Sequence, residues 1–139
     1  GVNTNNDDYI AYCFTSVDQY SSIGVYTGSG SSATAPFVYT GFKVAWLMVK
    51  GVSSSGGNWM IYDNARGSYN LNNAKLAANL SGQENESSTM GGTSLGMDFL
   101  SNGFKYTGDG GGNHNASGVT YLYAAFAEHS FSLNGGLAR

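Results

Sequence analysis

Hydrophobic residues along this chain fall into short runs that alternate with polar ones, the period expected of strands with two unlike faces. The stretch "DYIAYCF", Asp8 to Phe14, sets Ile10, Tyr12 and Phe14 against Tyr9, Ala11 and Cys13. "IGVYTG" and "PFVYTGF" follow, parted by "SGSSATA", a polar loop hinged at Gly30. "KVAWLMVKGV" is apolar without a break from Val44 to Val49, which predicts a central strand covered on both faces. After "SSSGG", "NWMIYDN" sets Trp59 and Ile61 against Met60 and Tyr62. "MDFLSNGFKY" predicts a hairpin, with Ser101-Asn102-Gly103 supplying the positive-φ positions of a tight turn. "VTYLYAAFAEHSF" reads as the last strand. One stretch departs from the pattern: "NNAKLAANLSG" offers Asn72 or Asn73 as a cap and Gly82 as a stop, predicting a short helix on a crossover.

The two ends echo each other. With Tyr9 set over Tyr121, Phe14 falls on Phe126. The expected fold is an all-β antiparallel sandwich, jelly-roll-like, with about seven to nine strands in a single domain over residues 1–139. Its first and last strands, bearing the matching aromatics, would lie side by side and form cross-strand pairs.

Composition narrows the function. The chain has 139 residues, of which only 11% are charged, and carries 21 glycines and a net charge of −3. Six scattered Lys and Arg residues make no basic footprint, so a nucleic-acid partner is not expected. No apolar run approaches the roughly 20 residues needed to span a bilayer, so neither is a membrane. A lone cysteine, Cys13, forbids an intrachain disulfide and is read as a small buried hydrophobe. The chain begins without Met and closes on "LAR" shortly after its last strand. The expectation is therefore a natural C-terminus on a processed chain or on part of a longer protein.

Catalytic patterns are thin. Glu128 and His129 are neighbours on a strand end, where alternation points them to opposite faces and away from a common substrate atom. Asp63, Asp98, Glu84, Glu86 and Glu128 fall into no spacing that would set two acids on one face of a cleft; Asp63 reads as a turn residue near Arg66, and Asp98 as outward-facing between Met97 and Phe99. His114 and His129 have no metal-ligand spacing. Asp7, Asp8 and "GDGGGN" lack the acid ladder of a calcium loop. The glycine string from Gly108 to Gly112 precedes no lysine-bearing helix and is read as a linker loop. The N-x-S/T triplets at Asn79, Asn85 and Asn115 are taken as chance. No catalytic residue, metal or cofactor is expected.

Aromatics carry the remaining signal. The chain has 10 Tyr, 7 Phe and 2 Trp. Trp46 is read as core, while Tyr20, Tyr26, Tyr39, Tyr62, Tyr69 and Tyr106 are candidates for an outer face. Exposed tyrosines among Asn, Ser and Gly suit sugar-binding or protein-binding patches; the competing reading has them capping the core with wet hydroxyls. The candidate glycan or partner contacts are Tyr26, Trp59, Tyr69, Asn113 and His114.

Four blocks, "YIAYCF…YSSIGVYTGSGS", "PFVYTGFKVAWLMVKGVSSSGGNWMIYDNARG", "MDFLSNGFK" and "NHNASGVTYLYAAFAEHSF", stand in an order that resembles a β-rich C-terminal domain. That domain recurs in virion structural proteins of tailed bacteriophages, often marine ones, and commonly follows a concanavalin-A-like, laminin-G-type segment. The resemblance covers nearly the whole chain and brings no catalytic residues with it. "FTSVDQYSS" departs from the family's more acidic version, and Ser130 stands where a proline usually follows Glu-His. The resemblance implies a non-enzymatic element of the virion surface, tail-fibre, tail-associated or capsid-decorating. Its expected partners are copies of itself, with three-fold symmetry favoured, and other virion proteins. The alternative is a lectin-like module that holds a host surface glycan; a glycan hydrolase stands third.

Overall fold

A computed structural model of the chain describes residues 4–53, 57–84, 96–108 and 112–131. Among the described residues eight strands are formed: β1 (Ser21–Thr27), β2 (Phe37–Tyr39), β3 (Val44–Gly51), β4 (Met60–Asp63), β5 (Lys75–Ala77), β6 (Met97–Leu100), β7 (Gly103–Tyr106) and β8 (Thr120–Ala127). They make a five-stranded sheet ordered β1-β8-β3-β4-β5 and a three-stranded sheet ordered β2-β7-β6. Every pairing within these sheets is antiparallel.

One cluster of buried residues draws on both sheets. The larger sheet contributes Leu47, Val49, Met60, Tyr62, Tyr121 and Ala125; the smaller gives Val38, Met97, Phe99, Phe104 and Tyr106. Alternation explains the choice: Tyr121, Tyr123 and Ala125 of β8 face inward, while Leu122 and Ala124 between them do not. Gly24 stands opposite Tyr123 in the register. A Cβ there would press on the Tyr123 ring, so the missing side chain is what admits the aromatic. Burial at this scale contributes about 25 cal/mol per Å² of apolar surface.

First and last strands do lie together, β1 against β8 from Ser21↔Phe126 to Thr27↔Thr120. The opening segment is nevertheless no strand. Both edges of β8 are already taken, by β1 and by β3, so residues 8–14 have no ladder beside it to join. The echo is met by a ring contact instead, Phe14 edge-on to Phe126 at 6.4 Å. Cys13, expected inside, is exposed because its segment never enters the core. The segment instead guards an edge strand: the Ser16 hydroxyl accepts from the Ile23 N–H at 2.9 Å and donates to its carbonyl at 3.2 Å. Edge strands left bare invite pairing with other chains.

The helix expected from Asn72 onward is replaced by β5, which pairs with β4 through Tyr62↔Lys75, Ile61↔Leu76 and Met60↔Ala77. Lys75 and Ala77 are buried and Leu76 is not; a two-residue period has overridden helix propensity. No helix occurs among the described residues, nor any helix long and apolar enough to cross a membrane. The hairpin of β6 and β7 forms with Leu100 opposite Gly103. Its turn has no positive φ at Ser101, Asn102 or Gly103, against expectation. Gly103 is required for room, since a Cβ would run into the Val38 carbonyl and the Phe37 ring of β2.

Candidate functional site

The five expected contact residues separate into three places. Tyr26 and His114, expected at the surface, are core residues. Tyr26 donates its hydroxyl proton to the His114 carbonyl at 2.8 Å and stacks on Tyr121 at 5.2 Å. His114 lies in a cage of aromatic rings: Nε2 is 2.8 Å from the Tyr62 hydroxyl, and the imidazole stacks on Tyr106 at 4.8 Å. Burial, reinforced by the Lys75 cation, pushes the His114 pKa down to about 3, so the ring stays neutral. Burial likewise raises the Tyr62 hydroxyl well above its usual value. The loop closes inward because Asn115, fully buried, staples it. Its Oδ1 accepts from Ser29 N–H at 2.8 Å, and its Nδ2 donates to the carbonyls of Ser31 and Gly108 at 3.1 and 3.4 Å.

Asn113 serves the same purpose at the next loop, accepting from the Asn58 N–H at 2.8 Å. Asn58 and Asn79 are joined by a side-chain bond of 3.0 Å, and Asn79 accepts from the Trp59 N–H at 2.9 Å. Three amides thus fix the approach to β4. Residues 109–111 of the glycine string from Gly108 to Gly112, together with Asn85 and Glu86, lie outside the described residues.

Trp59 and Tyr69 are exposed, in different settings. Trp59 borders an apolar hollow of about 270 Å³ on the outer face of the larger sheet. Ile23, Met48, Leu122 and Ala124 line it from the strands; Tyr12 and Phe14 line it from the leading segment. Trp46, expected in the core, lies on this same outer face, half-buried, with its ring 5.6 Å from Phe126. The pleat requires this: Trp46, Met48 and Lys50 alternate with the buried Leu47 and Val49. Leading-segment side chains cover the face only thinly, since Ile10 is 83% and Tyr12 82% exposed.

Tyr69 stands beside a more polar hollow that also contains Lys43, Asn64 and Glu128. Lys43 Nζ meets Glu128 Oε2 at 2.7 Å, and Asn64 Nδ2 donates to Oε1 at 3.0 Å. The bonded Lys43 ammonium holds the Glu128 carboxyl below the usual range. Asp63 is pulled upward by burial, but the bonds from Arg66 outweigh this and leave it lowered. No group of three or more His, Cys, Asp or Glu able to hold a metal occurs among the described residues.

Residues 1–130 match a family described as a domain of unknown function, DUF7483. The chain belongs to that family. No curated protein and no solved structure matches it. This DUF7483 member presents two surfaces of different character: the apolar outer face of the larger sheet and the polar hollow at Tyr69. Sequence reasoning missed the first because Trp46 and Met48 carry no mark that separates an outward apolar residue from an inward one. The run Val44–Val49, apolar at every position, was the available signal: it requires two covers, and among the described residues only the inner one is complete.

Proposed function

We propose that this chain is a non-enzymatic structural module of a bacteriophage virion surface, tail-associated or decorating the head, which works by packing against copies of itself. The carrying observation is the outer face of the five-stranded sheet. Ile23, Val25, Trp46, Met48, Ile61, Leu122 and Phe126 share that face by register and are half-buried or exposed. A contiguous apolar surface of this kind marks an interaction site. Its occupant is a second copy: with 11% charged residues and a net charge of −3, copies repel one another weakly. The leading segment adds Ile10, Tyr12 and Phe14, apolar side chains that their own chain leaves exposed. The resemblance of the sequence blocks to phage virion proteins supports the location. Within this reading the two sheets form a jelly-roll-like sandwich, three copies close the ring, and other virion proteins are neighbours.

Sedimentation equilibrium tests the proposal on the full chain and on Val25→Glu. Val25 is 62% exposed at the edge strand, so a charge there disturbs the fold little. The wild-type chain is expected to associate reversibly, and Val25→Glu to sediment as a monomer with an unchanged melting temperature. A wild-type chain that stays monomeric at every concentration, or a variant that associates equally well, would overturn the assignment.

A further inference from the structure

Where β3 begins and β8 ends, two hollows open on either side of one ion pair. Lys43 and Glu128 line both. The first, about 330 Å³, continues to Asn64, Ser68 and Tyr69; the second, about 220 Å³, continues to Gln19, Ser101 and His129. The shared Lys43–Glu128 pair makes the two hollows the arms of one groove, with its charges as the ridge between them. None of the residues that line it is among those named for the assembly face.

Tyr69 is 85% exposed, yet the loop that presents it is fastened at several points. The Asn70 side chain clasps the Phe99 backbone, accepting from its N–H at 3.0 Å and donating to its carbonyl at 3.1 Å. Arg66 donates to Asp63 through Nε at 2.6 Å and through its backbone N–H at 2.8 Å, and reaches Glu84 at 2.8 Å. Asn72 Nδ2 donates to the Asp63 carbonyl at 2.8 Å. Gly67 lies so close to the Asn72 amide that a Cβ would collide with it. A bare aromatic ring on a fixed loop loses little freedom on binding, which is how rigid tyrosines anchor ligands.

The charge balance of the ridge selects the ligand class. An anion arriving there meets the Glu128 carboxylate, and a cation meets the Lys43 ammonium. A hydroxyl can donate to the carboxylate's remaining lone pairs and accept from the ammonium's remaining N–H groups. The hydroxyls of Ser68 and Ser101 extend the same chemistry to both sides, and the Tyr69 ring offers a flat surface to the apolar face of a pyranose. We propose that this groove binds a neutral oligosaccharide, one sugar stacked on Tyr69 and the chain crossing the Lys43–Glu128 pair into the second hollow.

The test uses the full chain, isotope-labelled, titrated with neutral oligosaccharides of glucose, galactose and N-acetylhexosamine and with sialylated counterparts. Saturable chemical-shift changes are expected at Asn64, Tyr69 and Ser101 with at least one neutral probe. Tyr69→Ala should weaken that binding roughly tenfold or more, equivalent to about 1.4 kcal/mol, with melting temperature unchanged. Glu128→Gln, which leaves a lone ammonium on the ridge, should raise binding of the sialylated probe relative to the neutral one. The proposal is overturned by the absence of shifts at these residues with every neutral probe at millimolar concentration. It is also overturned by undiminished binding in Tyr69→Ala, or by a wild-type preference for the sialylated probe.

Discussion

The two faces of the five-stranded sheet are built from the same strands and nearly the same kinds of residue, yet they meet different fates. Inward, Leu47, Val49, Met60, Tyr62 and Tyr121 are fully buried against the smaller sheet. Outward, Trp46, Met48, Ile61 and Leu122 are half-buried, with the thin leading segment over part of them. Hydrophobicity is matched; the cover is not. An apolar strand face is thus a requirement for a partner surface, and the partner can be another layer of the same chain or a different molecule. The buried inner face answers to the stability of the monomer, the outer one to association.

Two consecutive residues of β3 break that comparison most sharply. Leu47 faces in and is fully buried; Met48 faces out. Leu47→Ala should cost about 3–5 kcal/mol of unfolding free energy, the lost transfer energy plus a cavity that close packing cannot refill. Met48→Ala should cost the dilute monomer less than about 1 kcal/mol and weaken self-association instead. Urea unfolding of both variants, paired with sedimentation, checks the split. Equal destabilisation of the monomer by the two substitutions would mean that both faces are cores of a single chain.

Acid should attack the inner side first. His114 is enclosed by Tyr62, Tyr106 and the Lys75 cation, and its pKa falls from 6.5 to about 3. The unfolded chain therefore takes up this proton at a higher pH than the folded one, and stability present above pH 6.5 is lost as pH falls toward 3. Between pH 6.5 and about pH 4 the loss should be on the order of 3 kcal/mol. Most of that window lies above the ordinary values of 3.8 and 4.5 at which Asp63 and Glu128 begin to protonate in the unfolded chain, and their lowered folded values carry their own losses to more acid pH. Unfolding free energies measured at several pH values should show this slope, and His114→Phe should flatten it. A slope that survives the substitution would assign the proton to another group.

How much of this was legible in the residues depends on what each signal had to compete with. Strands with a clean two-residue period, such as those around Tyr62 and Tyr123, could be read as strands, and the hairpin through Asn102 as a hairpin. The facing was less legible, since Tyr62 and Tyr106, candidates for the outer face, are buried in the core. "KLA" could not be read as a strand: its residues favour helix, and only the open edge of β4 makes Lys75 and Ala77 turn inward together. "DYIAYCF" failed in the opposite sense, a good strand pattern that takes up no ladder because both sides of its matching strand, β8, are already filled. His114 was hidden by its setting, because a glycine-rich stretch suggests mobility and gives no hint that Asn115 staples the loop. Tyr69 was legible as a candidate, but its neighbours Lys43 and Glu128 come from distant points of the chain and meet only in the fold.

The leading segment gives the smallest effect and the finest test of the contrast between faces. Phe14 touches Phe126 edge-on at 6.4 Å while remaining largely exposed. An aromatic pair contributes about 0.5–1.5 kcal/mol beyond area burial, and the exposure of Phe14 places it at the low end of that range. Phe14→Ala should therefore lower the unfolding free energy of the dilute monomer by about 0.5 kcal/mol and leave the Leu47 side of the sheet undisturbed, as near-ultraviolet circular dichroism of the buried tyrosines would report. Association should fall by more than the monomer's stability does, because the ring also belongs to the surface offered to a second copy. A monomer that loses as much as Leu47→Ala does would make the segment a third layer of its own chain. The outer face would then be as much a core as the inner one.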